Sequence, residues 1–167
     1  MAEACKFTAH CSTLFAAISG NIWIKNGIEH PDQIGPKMSP MAKILIADDS
    51  RVQVHLLTGW LQQRGFEVID ALDAVQAWMK GLRSQPDVIV LDINMPGGSG
   101  IDVLKRLKAS VKTRQIPVLV VSGSAGTDIR ELVKRLGAAD LLEKPLDCEQ
   151  FCAAVAGLVV RPLGISP

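Results

Sequence analysis

Three short runs constrain this chain more than anything else in it. Residues 43–47, 87–91 and 118–121 are apolar almost throughout. A strand with one wet face alternates apolar and polar side chains, whereas a continuously apolar strand must be covered on both faces. Helices packed on both sides of a parallel sheet supply that cover. The segments between the runs fit this role. Over 50–64, Val54, Leu57 and Leu61 recur at helical spacing, with Ser50 placed to cap the start and Gly65 the end. Further helices are predicted over 73–83, 100–109, 128–136 and 147–160, the last capped by Asp147. Strands are predicted over 66–70 and 140–143 as well. The strand at 66–70 mixes in polar residues, which suits a sheet edge. Five βα units with right-handed crossovers predict an α/β three-layer sandwich.

This regularity begins at Met41. Before it, a short helix is expected around residues 3–18, and 26–40 holds Gly27, Pro31, Gly35, Pro36 and Pro40, which break regular structure. The expected organisation is an N-terminal extension and linker over 1–40, one domain over 41–161 and a tail over 162–167. Met38 and Met41 stand where translation could also begin. Residues 14–24 are moderately apolar, but Gly20 and Asn21 interrupt them, no positive cluster precedes them, and no secretory leader is expected. No run is long enough to span a bilayer. With a net charge of +1 and no dense basic run, neither a nucleic acid nor a membrane partner is expected. Cys5, Cys11, Cys148 and Cys152 form no CxxC pair. They read as small apolar side chains in a reducing, cytoplasmic setting rather than as a metal or redox site.

Parallel strands end at one shared edge, where ligands of open α/β sheets bind. The residues just past each run therefore matter. Asp48 and Asp49 come after the first strand, Asp92 after the third, Ser122 after the fourth and Lys144 after the fifth. Three carboxylates, a hydroxyl and an ammonium at one rim suit a divalent cation and a phosphoryl group. Adjacent carboxylates are costly without a cation or water, and magnesium takes carboxylates together with phosphate oxygens. Asp49 and Ser50 alone would be read as helix capping; Asp92 at the matching strand end turns the balance toward a site. Asp92 is the candidate nucleophile, Lys144 a mobile charge for phosphate oxygens and Ser122 a donor to one of them. The loop from Asn94 to Gly100 turns beside the site, with the Asn94 backbone carbonyl within reach of a metal on Asp92.

The segments Ile44-Leu45-Ile46-Ala47-Asp48-Asp49-Ser50, Leu91-Asp92-Ile93-Asn94-Met95-Pro96-Gly97-Gly98-Ser99-Gly100, Pro117-Val118-Leu119-Val120-Val121-Ser122-Gly123 and Gly137-Ala138-Ala139-Asp140-Leu141-Leu142-Glu143-Lys144-Pro145 resemble the receiver domain of two-component response regulators. Four motifs in order, over about residues 42–160, carry the resemblance. It implies a flavodoxin-like fold with strand order 2-1-3-4-5. It implies Asp92 as phosphoacceptor, Asp49 as a direct Mg2+ ligand, Asp48 as a ligand acting mainly through water, and Asn94 as the carbonyl ligand. Ser122 would be the switch hydroxyl and Lys144 the phosphate-binding lysine, with a cis bond before Pro145. The implied donor is a phosphohistidine on a sensor histidine kinase or a histidine phosphotransfer protein. The implied output is contact with an effector protein through the fourth helix, fifth strand and fifth helix, where Ala125, Ile129, Leu132, Leu141 and Ala153 are candidates. With only residues 161–167 after the last helix, the chain resembles a stand-alone receiver, not an enzyme beyond its own phosphorylation and dephosphorylation.

Two positions depart from the family pattern. Leu141 stands where receivers carry Tyr or Phe, and Gly123 where Ala is more frequent. Asn94 and Ser124 occupy the positions that tune phosphate loss. Leu141 also keeps open a second reading, a pseudo-receiver that binds proteins without phosphorylation. An aspartyl-nucleophile phosphatase of the haloacid dehalogenase type would need Asp two residues after the nucleophile, where Asn94 stands.

Overall fold

The computed structural model describes residues 41–124 and 126–159. Five strands and five helices alternate. They are β1 (Lys43–Ala47), α1 (Arg51–Gln62), β2 (Glu67–Ala71), α2 (Ala74–Ser84), β3 (Val88–Asp92), α3 (Gly100–Ala109), β4 (Val118–Ser122), α4 (Thr127–Arg135), β5 (Asp140–Glu143) and α5 (Cys148–Val159). The sheet is parallel throughout, in the order β2-β1-β3-β4-β5. This is the flavodoxin-like order that the resemblance implied, with β2 at an edge.

The period of two along each strand divides the core. Leu45, Ala47, Ile89, Leu91, Val118 and Val120 point to one face, where Val103, Leu104 and Leu107 of α3, Val133 of α4 and Ala77 of α2 meet them. Ile44, Ile46, Val88, Val90, Leu119 and Val121 point to the other, against Val54, Leu57 and Leu61 of α1 and Phe151, Val155 and Leu158 of α5. Burying both faces is why these strands carry no alternation.

Local signals set the element ends. The Ser50 side chain accepts from Gln53 N at 3.3 Å, Asp73 from Gln76 N at 2.7 Å and Asp147 from Gln150 N at 2.9 Å, each at a helix start. Gly65 turns at φ 81° after α1, and Phe66 N donates back to Leu61 O at 3.2 Å. That bond keeps Phe66 in the turn, so β2 opens at Glu67, one residue later than predicted. Ser122 belongs to β4 itself.

The expected N-terminal helix, the linker, Cys5, Cys11, Ala125 and the tail lie outside the described residues. Cys148 is half-buried and Cys152 buried against the second core. Among the described residues no helix is long and apolar enough to cross a membrane.

Candidate functional site

The register delivers the polar rim. β1 lies between β2 and β3, so Asp48, one residue past β1, falls beside Asp92 at the end of β3. β3 pairs with β4 and β4 with β5, which places Ser122 opposite Glu143 and next to Lys144. Carboxylate oxygens of Asp48, Asp49 and Asp92 all lie within 4.8 Å of one another. Asp48 and Asp92 are almost fully buried, at 3% and 4% exposure, and Asp49 is exposed.

Lys144 holds the buried pair together. Its Nζ donates to Asp48 Oδ2 at 2.8 Å and to Asp92 Oδ2 at 2.9 Å. The second oxygen of each is also used: Asp48 Oδ1 accepts from Ser50 N at 2.9 Å, and Asp92 Oδ1 from Asn94 N at 3.3 Å. Burial pushes the Lys144 ammonium down, but the hydrogen bonds and charges of Asp48 and Asp92 together outweigh it and raise its pKa above the ordinary 10.5. One ammonium against three carboxylates leaves the cluster short of positive charge. Hard oxygen donors with a deficit of cation are the donor set that magnesium takes.

Ser122 is buried at the same rim, but its hydroxyl does not turn to Asp92 or Lys144. Oγ donates to Ser124 O at 2.7 Å and accepts from Ser124 N at 3.2 Å, a closed turn within its own loop. The backbone of Ser122 does reach the site, since its carbonyl accepts from Lys144 N at 2.8 Å. The Lys144–Pro145 bond is cis. Asn94 is exposed.

Gly100 is a site residue that its sequence position alone does not reveal. A methyl group at its Cα would overlap the carbonyl oxygen of Asp92. Gly100 N donates to Ile93 O at 2.8 Å, so α3 begins directly against the backbone that carries Asp92. Ser99 caps that start, its Oγ accepting from Ile101 N at 3.2 Å. Glycine is a poor helix former, and its presence at a first helical position is the signal that could have pointed to close approach. Pro96 O accepts from Ala74 N at 3.2 Å, tying the same loop to α2.

Leu141 corrects one expectation. It is 4% exposed and packed in the first core, so it cannot line a contact surface. It points inward because β5 places Leu141 and Leu142 on opposite, covered faces. Ile129 and Leu132 are half-buried, and Ala153 is exposed.

Comparison with known proteins agrees with this geometry. The family model for the response regulator receiver domain matches residues 44–156. Protein PilH of Pseudomonas aeruginosa is 36% identical over 115 residues, covering 69% of this chain and 95% of PilH. Response regulator PleD of Caulobacter vibrioides is 38% identical over 117 residues, 70% of this chain but only 26% of PleD. Among solved structures, the chemotaxis response regulator CheY4 of Vibrio cholerae superposes with a TM-score of 0.67 at 29% identity, covering 71% of this chain and 98% of CheY4. The chain belongs to the response regulator receiver domain family, a family of signalling modules.

Proposed function

We propose that this receiver domain accepts a phosphoryl group on Asp92 from a phosphohistidine of a sensor histidine kinase or a histidine phosphotransfer protein, and that the modified state changes a protein-binding face. The observation that carries this reading is the convergence on Asp92. A buried carboxylate stands within 4.8 Å of two others and 2.9 Å from an ammonium.

The residues divide the task. A carboxylate oxygen of Asp92 forms a bond to phosphorus while the P–N bond to the donor imidazole breaks and its electron pair returns to the ring nitrogen. Such a transfer asks for alignment and charge neutralisation more than for covalent assistance. Asp48, Asp49 and Asp92, with the Asn94 carbonyl, would hold Mg2+, which when bound neutralises phosphoryl oxygens. Lys144 follows the charge, exchanging its bond to Asp92 for one to a phosphoryl oxygen. Ser122 gives up its bond to Ser124 O to donate to another. Loss of that bond frees the loop leading to α4, one edge of the proposed effector face of α4, β5 and α5. Within that face Ile129, Leu132 and Ala153 are the described apolar candidates.

Incubation with acetyl phosphate and Mg2+ tests the assignment. One hydroxylamine-sensitive phosphoryl group is expected by intact mass, absent without divalent cation and absent in Asp92→Asn. An Asp92→Asn chain that still gains it would defeat the reading. The buried Leu141, in place of an aromatic switch residue, favours the pseudo-receiver alternative; Mg2+ binding without any phosphoryl uptake would establish it.

A further inference from the structure

Basic side chains gather at the sheet edge opposite the acidic cluster, outnumbering Asp140 at the start of β5 and Asp87 before β3. Residues 105–115 contain Lys105, Arg106, Lys108, Lys112 and Arg114 and no Asp or Glu. They run from the last turns of α3 to just before β4, at the edge where the strands begin. Lys108 gathers this edge. Its Nζ donates to Arg114 O at 3.2 Å and Ile116 O at 2.8 Å, which fastens the connecting loop to α3. Its methylene stem lies against Gly137, where an added methyl would meet Cγ and Cδ at 3.7 Å. That contact brings in the end of α4, with Lys134 and Arg135 in its last turn. Cations separated by about twenty positions in the sequence thus share one edge.

Arg106, Lys112, Arg114, Lys134 and Arg135 are exposed, and among the described residues none of them enters a salt bridge. Only Lys105 pairs, with Asp102 at 3.4 Å. Helix carbonyl ends explain part of the pattern, since basic side chains in the last turns of α3 and α4 complement about half a negative charge each. They do not explain Lys112 and Arg114, which lie beyond the helix.

We infer that this surface docks an acidic segment of a partner protein, with an apolar residue set among its carboxylates. The positive charge fits carboxylates, and Val111, 76% exposed in the same segment, offers the apolar contact. Two other anionic partners fit less well. No aromatic side chain occurs in 105–115 or 132–139, so nucleobases find no stacking platform. Val111 is also the only exposed large apolar side chain described there, too little to enter a lipid surface. The inference stands apart from phosphoryl transfer, which uses the other edge.

The test uses the full chain and a fluorescein-labelled peptide of glutamates interspersed with leucines, read by anisotropy at rising salt. Saturable binding is expected, weakening with salt and falling about tenfold in Lys112→Glu/Arg114→Glu, but unchanged in Arg51→Glu, an exposed cation at the start of α1 by the other sheet edge. Thermal melts check folding, and the milder Lys112→Ser/Arg114→Ser pair serves if the reversal unfolds. Three outcomes each overturn the proposal: no binding at low salt, binding that ignores these substitutions in folded protein, or tighter binding to oligodeoxythymidine or to phosphatidylglycerol vesicles than to the peptide.

Discussion

Asp49 illustrates how a site residue can oppose the fold that carries it. It is the exposed member of three carboxylates whose oxygens lie within 4.8 Å of one another, and Lys144 bonds only the other two. Asp49→Asn removes repulsion without breaking a hydrogen bond. It should stabilise the protein by about 0.5–1 kcal/mol in divalent-free, low-salt buffer, fading with salt. The same variant should bind Mg2+ more weakly, as urea melts with and without the cation would reveal. The two partly buried lysines respond to pH in opposite directions. Lys144 has its folded pKa above the ordinary 10.5, so its contribution is complete below that value and is lost as pH rises through the folded pKa. Lys108 is pushed below 10.5 by burial, so its charge opposes folding and stability is recovered as pH rises through its folded value toward 10.5. Relative to wild type, urea midpoints across the alkaline range should therefore fall less steeply in Lys144→Met and more steeply in Lys108→Met.

Elements are placed here by what their ends touch. α3 can start against the Asp92 backbone only because Gly100 has no side chain. Gly100→Ala must push the helix start from the strand, at a cost of about 1–3 kcal/mol, and should lower the rate of acetyl phosphate uptake with it. Gly59, inside α1 and open around its Cα, makes the control. Gly59→Ala should stabilise by about 0.5–1 kcal/mol through helix propensity, with uptake unchanged. Sequence reading and structure agree closely on elements with strong punctuation: Ser50 and Asp147 cap as predicted, while Asp73, read from the sequence as the first helical residue, is the cap of α2. Agreement is weaker at Leu141, because a strand's period of two says that adjacent residues face apart but not that both faces are covered there.

Across the whole molecule one sheet serves two cores, and the central strand β3 supplies both, through Ile89 and Leu91 on one side and Val88 and Val90 on the other. Neither layer can be lost without exposing the other. Trp78 packs at the first core and Trp60 at the second, where it lies 6.1 Å from the Phe151 ring. Chains keeping only Trp60 or only Trp78, with the remaining tryptophans changed to Phe, should give coincident urea transitions once corrected for stability. Separated midpoints would mean that the layers melt independently. Charge is also distributed at this scale, with the buried carboxylates at the edge where the strands end and the basic residues of α3, its following loop and α4 at the edge where they begin.

By itself the sequence determined the alternation of buried strands and capped helices, and with it the edge to which Asp48, Asp49, Asp92, Ser122 and Lys144 belong. These properties rest on periodicity and position along the chain, which are local. Tertiary structure alone decided which atoms meet. Lys144 bridges Asp48 and Asp92, the Ser122 hydroxyl stays with Ser124, Gly100 yields its space to Asp92, and basic residues from two separate segments share an edge. Each of these is a distance between groups remote along the chain or a choice of rotamer, and such distances exist only once the sheet register has been set.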